Sequence, residues 1–337
     1  MLPNGGRIER LIWWRNVPLR VSVAIANWNG RRYLGPCLSA LQQQARLPDE
    51  VVVVDSASTD GSAELVASQF PDVEWVQLGC RPGIAAAFNA CVRHSRGDAV
   101  ALLNNDTEAA PGWLEALTNV LTQQPTAGSC ASKALFWRDR STINSAGDFY
   151  RVDGEPGNRG VWEADHGQLD VAEWVFGATA AAALYRRAAL DEVGPFDEHL
   201  GSYCEDVDWS FRAQLLGWRC RYVPDALVYH HGSATGGGPF ASYACGRNFP
   251  LVWVKNMPPR LFRRYLGLML RRQARFALET LPHWREPAAR ARLRGQGAAF
   301  LALPDFLAER RHVQRSRRVS DAAIEAVLMG GRGAGGQ

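Results

Sequence analysis

The stretch that decides the fold is VVVVDSASTDGS, residues 51–62. Its four consecutive valines, residues 51–54, predict a strand that is buried on both faces. Asp55 ends this strand, and a helix is predicted from Asp60 to about Gln69. A strand without a polar face, followed at once by a helix, is typical of a parallel sheet that carries helices on both sides.

The same alternation of strand and helix surrounds this stretch throughout the first half of the chain. Apolar runs predict further strands at Val21–Ala26, Val73–Leu78 and Ala99–Leu103. Apolar residues at helical spacing predict helices around 33–41, at Ala85–His94 and from Pro111, where proline suits the first helical position. The predicted fold class is therefore α/β, with a doubly wound, mostly parallel sheet and right-handed crossovers.

After about Pro125 the pattern becomes less regular. Longer apolar runs predict strands at Ser129–Trp137, Ile143–Val152 and Trp174–Tyr185, joined by glycine-rich loops. Helices are predicted at Arg187–Val193 and Asp206–Leu216, and short strands at Arg219–Val223 and Leu227–His230. From Phe249 onward the sequence is predicted to be helical and basic.

The composition excludes several classes of protein. The chain has 337 residues, of which 47% are hydrophobic and 21% charged, as in globular proteins rather than disordered ones. The seven cysteines are scattered, so a disulfide framework or a structural zinc site is not indicated, and a reducing compartment is expected. No stretch approaches the ~20 apolar residues of a membrane span, and residues 1–20 lack the apolar segment of a secretory signal. We therefore expect a cytoplasmic protein.

One part of the chain is strongly basic. Residues 247–318 contain 17 Arg and Lys against 4 Asp and Glu, although the whole chain carries a net charge of only +4. Arginines alternate with apolar residues at helical spacing, which predicts that 258–318 lies against an anionic membrane surface at the inner face of the cell membrane. The alternative is a solvated helical face. Nucleic acid is not expected as a partner, because no nucleic-acid-binding module accompanies the arginines.

Acidic residues end two of the predicted strands. Asp55 follows the valine strand, and Asp106 follows the strand that ends at Leu103. Ligands of open α/β sheets bind at the carboxyl ends of the strands, so both side chains are candidate binding groups. Carboxylate and diphosphate oxygens suit Mg²⁺ or Mn²⁺, which would neutralise a departing diphosphate. The alternative is that these acids only cap helices or turns.

Two further motifs are candidates for chemistry. Glu205, Asp206 and Asp208 start a predicted helix, where acids are also favoured for purely structural reasons. Like charges raise a carboxyl pKa, so Asp206 is a candidate general base. His230 and His231 end a strand before a glycine-rich loop, and one of them is a candidate metal ligand, although a single histidine is more often structural.

With these motifs the sequence resembles family 2 glycosyltransferases of the GT-A fold, and in particular the rhamnosyltransferase-like branch that builds bacterial surface polysaccharides. The motifs are VSVAIANWNG at 21–30, VVVVDSASTDGS at 51–62, LNNDT at 103–107, VGPFDE at 193–198 and YCEDVD at 203–208, together with Gly83, Asn89, His230 and Arg247-Asn248. The resemblance covers about Val21 to Lys255.

The resemblance implies a role for each matching residue. Nucleoside contacts would come from Ala26, Asn27 and Asp55. The donor pocket would be lined by Arg81, Gly83, Asn89, Asn104, Asn105 and Asp106. Asp106 and His230 would hold the metal, and Asp206 would deprotonate the acceptor. Glu205, Trp209 and Arg212 would lie on the acceptor side. Asn104 stands where a strict DxD motif has its first acid, which leaves fewer metal ligands.

The implied function is an inverting transfer of a sugar, such as rhamnose, from a nucleoside-diphosphate sugar to a polyprenyl-linked saccharide or polysaccharide. The predicted domains are a GT-A domain at 21–245, divided into a donor half (21–125) and an acceptor half (126–245), and a basic helical region at 246–329. An N-terminal arm (1–20) and a glycine-rich tail (330–337) flank them. The alternatives are an inactive scaffold that binds glycan lipids and a sugar nucleotidyltransferase.

Overall fold

A computed structural model describes residues 19–232 and 237–330 of the chain. The predicted N-terminal arm, apart from residues 19 and 20, and all but the first residue of the glycine-rich tail lie outside the described residues, as do residues 233–236. In the first half the elements are β1 (Val21–Asn27), α1 (Arg31–Gln42), β2 (Glu50–Ser56), α2 (Ser62–Gln69), β3 (Glu74–Leu78), α3 (Ile84–His94), β4 (Ala99–Asn104), β5 (Thr107–Ala109) and α4 (Trp113–Gln123).

The second half adds short strands and then helices. Its elements are β6 (Ala127–Phe136), β7 (Ile143–Ser145), β8 (Asp148–Tyr150), β9 (Pro156–Asn158), β10 (Trp174–Val175), β11 (Ala182–Arg186), α5 (Arg187–Val193), α6 (Glu205–Leu216) and β12 (Arg219–His230). The helices α7 (Gly238–Asn256), α8 (Pro259–Thr280), α9 (Pro287–Ser316) and α10 (Asp321–Val327) follow. Single 3₁₀ turns lie at Glu198–Leu200 and Leu281–His283.

The central sheet confirms the predicted α/β fold class. Its strands run in the order β10-β12-β6-β11-β4-β1-β2-β3. The pairs β3-β2, β2-β1 and β1-β4 are parallel, while β11 is antiparallel to both β4 and β6. Val52, Val53 and Val54 are fully buried, as expected for a strand covered on both faces. The carboxyl ends of β1, β2 and β4 therefore meet at one edge of the sheet, where polar side chains follow each strand.

Four predicted strands are wrong in their bounds. The predicted strand Trp174–Tyr185 is broken, because residues 176–181 leave the sheet between β10 and β11. The predicted strand Ile143–Val152 is also two strands, of which β7 pairs with β6 and β8 pairs with β9 in a separate hairpin. The two predicted short strands at 219–230 form the single strand β12, with a register shift between Val223 and Leu227. Apolar composition alone did not distinguish a strand from a buried loop that follows it.

The C-terminal helices share a hydrophobic core with the second half of the sheet domain. This core joins Tyr150, Phe176 and Phe211 to Trp253, Met269 and Phe306. The predicted boundary after residue 245 lies inside α7, which runs without a break from Gly238 to Asn256. The division into a domain at 21–245 and a region at 246–329 stays a prediction. No helix among the described residues is both long enough and apolar enough to cross a membrane.

Candidate active site

One large cavity of about 1640 Å³ lies at the carboxyl edge of the central strands. Its wall includes side chains from both halves of the sheet domain, among them Asn105, Asp106, Asp206 and His230. Such a volume is larger than most single-ligand pockets, so it has room for two substrates side by side. The predicted site residues that line it are Ala26, Asn27, Arg81, Gly83, Asn104, Asn105, Asp106, Glu205, Asp206 and His230.

A chain of hydrogen bonds joins the ends of three neighbouring strands on the first side of this cavity. Asn105 Nδ2 donates to Asn27 Oδ1 (2.7 Å), and Asn27 Nδ2 donates to Asp55 Oδ1 (2.8 Å). The fully buried Asp55 also accepts from Ser58 Oγ (2.5 Å) and Gln77 Nε2 (2.9 Å). Asp55 therefore lies beneath the cavity wall, where it fixes Asn27, and the predicted direct nucleoside contact stays a prediction.

An arginine and a tryptophan form the outer part of the same side. The Arg81 guanidinium lies 3.1 Å from the centre of the Trp28 ring, and both side chains line the cavity. Gly83 lies next to this pair and has a φ of +92°, which favours glycine. A Cβ added to Gly83 would lie 3.1 Å from the carbonyl oxygen of Gly201, so a side chain here would push the two loops apart.

Asp106 and His230 face each other across the end of the sheet. His230 Nε2 lies 3.2 Å from Asp106 Oδ1, and His230 Nδ1 lies 3.0 Å from Asn144 Oδ1. Burial alone would raise the pKa of Asp106, but the hydrogen bond from His230 and its charge lower that pKa below the ordinary value. Because the amide oxygen of Asn144 can only accept, Nδ1 carries a proton there and Nε2 turns toward the carboxylate.

This pair fits a divalent cation. An imidazole nitrogen that faces a carboxylate at 3.2 Å needs either a second proton or a metal ion between the two groups. A carboxylate oxygen and an imidazole nitrogen are suitable ligands for Mn²⁺, and the carboxylate also for Mg²⁺. The residues present therefore fit the predicted metal site, with fewer protein ligands than a motif with two acids would give.

Among the described residues, a second cluster with carboxylate and imidazole groups could be considered as a metal site, but it forms an ion-pair network. Asp197, His199 and Glu309 lie within metal-binding distance of one another. The Lys255 ammonium, however, lies 2.5 Å from Asp197 and 3.0 Å from Glu309. This lysine already neutralises the carboxylates, so a divalent cation is better suited to Asp106 and His230.

The opposite side of the cavity carries Asp206 at the start of α6. Its Oδ1 accepts from the backbone N–H of Val207 (2.8 Å) and its Oδ2 from that of Ala180 (3.1 Å). Burial raises the pKa of Asp206 above its ordinary value, although these backbone donors oppose the shift. A half-buried carboxylate that two backbone groups hold in place, with its pKa raised above the ordinary value, has the properties of a general base.

Two other carboxylates lie at this side of the cavity. Glu205 is buried, and its Oε2 has no hydrogen-bond partner. Burial, together with the charge of Asp206, raises the pKa of Glu205 and of Asp148 well above their ordinary values. Asp148 accepts a hydrogen bond from Asn158 Nδ2 (2.8 Å) and lines the cavity. The protonated forms of both groups are therefore favoured when Asp206 is ionised.

The turn before α6 is strained and firmly held. Tyr203 and Cys204 have φ values of 68° and 69°, in the left-handed region that side chains rarely adopt. The buried Asn248 on α7 donates from Nδ2 to the carbonyl oxygens of Leu200 (3.0 Å), Ser202 (3.1 Å) and Tyr203 (2.8 Å). The C-terminal region thus positions the acidic start of α6.

Three predicted site residues lie away from the cavity. Trp209 is fully buried in the core, and its Nε1 donates to the carbonyl of Gly194 (3.1 Å). Arg212 bonds to Asp208 (2.8 Å) and to two backbone carbonyls. The side-chain amide of Asn89 makes two bonds to the backbone of Phe196: Nδ2 donates to the carbonyl oxygen, and Oδ1 accepts from the N–H. In the structure these side chains hold the segment at 193–198, and their predicted donor and acceptor contacts stay predictions.

Sequence analysis did not identify several residues that line the cavity. They are Trp28, Asn144, Asp148, Asn158 and Trp162. Asp148 interrupts the apolar alternation of its strand, which was the one available sign of a special position. Trp28, Asn158 and Trp162 lie in loops or at a strand end, and Asn144 lies in the three-residue strand β7; polar and aromatic residues are common at such positions and give no signal.

The comparisons with known proteins agree with this geometry. The sequence model of glycosyl transferase family 2 matches residues 22–194. The chain therefore belongs to glycosyl transferase family 2 and is a glycosyltransferase with a GT-A-like fold.

Among individual relatives, the N-acetylglucosaminyl-diphospho-decaprenol L-rhamnosyltransferase of Mycobacterium tuberculosis is 29% identical over 304 residues, which are 83% of this chain and 90% of that protein. The pre-mycofactocin glycosyltransferase of the same organism is 33% identical over 194 residues, which are 53% of this chain and 37% of that protein.

Solved structures show the same fold at low sequence identity. The mannosyltransferase PcManGT of Pyrobaculum calidifontis, in complex with GDP-Man and Mn²⁺, is 20% identical with a TM-score of 0.53, and the match covers 95% of this chain and 92% of that one. GalNAc-T7 with UDP, GalNAc and Mn²⁺ is 15% identical with a TM-score of 0.59, and the match covers 71% of this chain and 48% of that one.

Proposed function

We propose that this glycosyltransferase transfers a sugar, such as L-rhamnose, from a nucleoside-diphosphate sugar to a hydroxyl of a polyprenyl-diphosphate-linked saccharide or a polysaccharide, with inversion at the anomeric carbon. The observation that carries the proposal is that one cavity has the Asp106–His230 pair on one side and the raised-pKa Asp206 on the other. The similarity over most of both chains to a decaprenol-linked rhamnosyltransferase supports the sugar and the acceptor class.

In the proposed reaction the donor lies against the strand ends that carry Asn27 and Asn105, with Arg81 and Trp28 at its outer edge. The acceptor lies against the opposite side. The acceptor hydroxyl attacks the anomeric carbon from the face opposite the diphosphate and gives its proton to Asp206. The bond between the anomeric carbon and the diphosphate oxygen breaks, and the electron pair leaves with the diphosphate.

Asp106 and His230 would hold Mg²⁺ or Mn²⁺ near the diphosphate, and a metal there neutralises the charge that grows on the leaving group. Asn144 keeps the His230 ring in the orientation that this needs. Positioned proton transfer typically contributes about 10²–10⁴-fold to a rate.

The exposed side chains of the C-terminal helices favour binding of the protein to an anionic membrane surface. The α8–α9 region exposes large apolar side chains, including Leu278 (66%), Trp284 (57%) and Leu301 (84%), beside exposed arginines such as Arg263 and Arg271. Each basic residue near an anionic leaflet contributes about 1 kcal/mol of attraction. We infer that this surface, within 258–318, brings the cavity to a lipid-linked acceptor at the cytoplasmic face of the membrane.

The experiment that tests the proposed function is a screen of UDP-, dTDP- and GDP-sugars, each with and without Mn²⁺. A donor that binds the native state raises the melting temperature, and the same donor should then support sugar transfer to an alkyl-diphospho-N-acetylglucosamine acceptor. A chain that neither binds nor transfers any of these sugars would not have the proposed function.

A further inference from the structure

An exposed tryptophan stands at the rim of the cavity on the acceptor half. Trp162 lies between β9 and β10, its side chain is 74% exposed, and it lines the same cavity as Asp206. Its ring stacks on that of Phe136, with ring centres 4.3 Å apart and planes 16° apart. One face of the indole is therefore supported by the protein, which leaves the other available to a ligand.

The backbone of Trp162 is held in an unfavourable conformation. Its φ is 69°, in the left-handed region that bulky side chains rarely adopt. Hydrogen bonds keep it there: Trp162 N–H donates to Ile143 O (3.0 Å), Ile143 N–H to Glu163 O (2.9 Å) and Glu163 N–H to Gly160 O (2.9 Å). Local strain of this kind persists where the surrounding structure enforces it, and it concentrates at functional sites.

The neighbours of Trp162 in the cavity wall indicate what kind of ligand it takes. Phe136 pairs with His230 in the sheet, so the stacked rings lie next to the candidate metal site. The lining of this cavity also includes the polar side chains Arg138, Asp139, Asn144 and Asn158. A lipid chain would need apolar neighbours, whereas a sugar ring combines an apolar C–H face with a rim of hydroxyl groups.

We propose that the Trp162–Phe136 pair is a stacking platform for a pyranose ring of the acceptor saccharide, which it orients so that the attacking hydroxyl faces Asp206. The proposal rests on the proposed function and names a specificity-determining residue for it. The acceptor rather than the donor is the occupant, because Trp162 belongs to the segment that carries Asn158, which hydrogen-bonds to Asp148 (2.8 Å) on the Asp206 side of the cavity. The pairing of Phe136 with His230 keeps the same platform close to the candidate metal site, where the diphosphate would leave. Arg81 and Trp28 lie on the other side, at the ends of the parallel strands.

The test compares four variants with the wild type: Trp162→Ala, Trp162→Gly, Trp162→Phe and, as a matched control, Glu163→Ala. Glu163 is the exposed neighbour of Trp162, and its backbone hydrogen bonds survive the substitution. The probe is a short-chain alkyl-diphospho-N-acetylglucosamine, whose binding without donor is measured by saturation-transfer NMR. Steady-state rates then give KM separately for the acceptor and the donor.

We expect Trp162→Ala and Trp162→Gly to weaken acceptor binding and to raise the acceptor KM about tenfold, while the donor KM stays unchanged. Trp162→Phe and Glu163→Ala should stay close to the wild type. Trp162→Gly should also melt at a higher temperature than Trp162→Ala, because glycine relieves the left-handed strain.

Three results would overturn the platform: an unchanged acceptor affinity in Trp162→Ala, a loss confined to the donor KM, or a Trp162→Phe variant as weak as Trp162→Ala. A wild-type chain that does not bind the saccharide probe in the NMR experiment would overturn it as well. The proposed function fails on a different result, namely the absence of transfer from every donor tested.

Discussion

At the scale of single residues, the catalytic proposal depends on the charge states of three carboxyl groups: the half-buried Asp206 and the buried Asp148 and Glu205. Burial raises the pKa of Asp206, and burial together with the charge of Asp206 raises the pKa values of Asp148 and Glu205 well above their ordinary values. Only an ionised Asp206 can accept the proton of the acceptor hydroxyl. The other two groups, which are neutral in that state, keep the cavity from carrying three adjacent negative charges.

The pH dependence of the rate follows from this order of ionisation. As the pH rises through the raised pKa of Asp206, the fraction of enzyme with an ionised base increases, so kcat/KM should rise and then level off. The rise should occur above the ordinary aspartate value of 3.8. A rate that is flat from pH 4 to pH 8, measured with saturating metal, would contradict the assignment of the base.

Substitution of Asp148 tests whether that group is neutral. Asparagine has the shape of the protonated acid, so Asp148→Asn should keep activity within about threefold. Asp148→Ala removes the hydrogen bond from Asn158 and should lose more activity. The pKa of Asp148 is raised in the folded state, whereas in the unfolded chain this side chain is ionised at neutral pH. Folding at neutral pH therefore has to favour a protonated Asp148 over its ionised form, which costs stability. An asparagine at this position cannot ionise, so Asp148→Asn should raise the melting temperature at pH 8. This gain should shrink as the pH falls toward 4, and a gain that grows instead would contradict the protonated state.

Asp106 and His230 can be tested by their metal dependence. His230→Gln and Asp106→Asn should both increase the Mn²⁺ concentration needed for half-maximal activity by about 10–100-fold. Each substitution removes one of the two side chains that are predicted to hold the metal. His199→Gln is the matched control, because His199 belongs to the network that Lys255 already neutralises. An unchanged metal requirement in both site variants, with activity retained, would place the metal elsewhere.

The residue scale also shows where the sequence was informative. Asp106, Asp206 and His230 stood in motifs whose spacing indicated chemistry, and the structure brings them to one cavity. Trp209 and Arg212 stood in the same motif as Asp206, but helical geometry turns them toward the core and toward Asp208. Adjacent residues on a helix point in different directions, so a motif identifies an element more reliably than each of its side chains.

At the scale of secondary-structure elements, the turn before α6 determines where Asp206 points. Tyr203 and Cys204 adopt left-handed backbone conformations, and the side-chain amide of Asn248 on α7 holds this turn through three carbonyl oxygens. The start of α6 is thus fixed from two directions, by its own turn and by a helix that follows it in the chain.

The contribution of this contact can be measured with Asn248→Ala. The substitution leaves buried carbonyl groups without their donor, which typically costs about 1–3 kcal/mol in the free energy of unfolding. We expect a lower melting temperature and a kcat reduced about tenfold, because Asp206 loses its fixed position. Asn119→Ala, on the exposed face of α4, is the control. A variant that melts earlier but keeps its full kcat would show that Asn248 only stabilises the fold.

The predicted parallel strands in the middle of the sheet were accurate because they are buried on both faces and bounded by helices, as Val52–Val54 shows. The edge strand β3 is only partly buried, and its helical neighbours in the sequence set its limits. The segment from Phe176 to Ala181 was wrongly included in a strand, because its residues are as apolar as the strands around it. It leaves the sheet to provide the backbone N–H of Ala180 to Asp206. That requirement comes from a tertiary contact, so no local pattern could show it.

At the scale of the whole molecule, the C-terminal helices are part of the fold as well as a candidate membrane surface. Trp253, Met269 and Phe306 belong to the same core as Tyr150 and Phe211 of the sheet domain. Removal of the chain after about Pro258 would expose this core. Such a truncated protein is therefore expected to unfold, and it cannot serve as a test of membrane binding.

Membrane binding is better tested with surface substitutions in the full chain. Leu278→Ser combined with Trp284→Ser removes exposed apolar area, and Arg263→Glu combined with Arg271→Glu reverses charge. Both pairs should weaken binding to vesicles that contain phosphatidylglycerol by at least tenfold without a change in melting temperature. Leu47→Ser, which is 61% exposed on the sheet domain, is the control. Equal vesicle binding by all three variants and the wild type would exclude this surface.

The central claim is that Asp206 removes the acceptor proton in a cavity that binds the donor independently of it. The most direct measurement compares sugar transfer and donor binding in the wild type and in Asp206→Asn, whose side chain keeps the size of aspartate. The account predicts that transfer falls at least 10²-fold while the donor-induced rise in melting temperature is unchanged. A variant that transfers sugar at nearly the wild-type rate would contradict it.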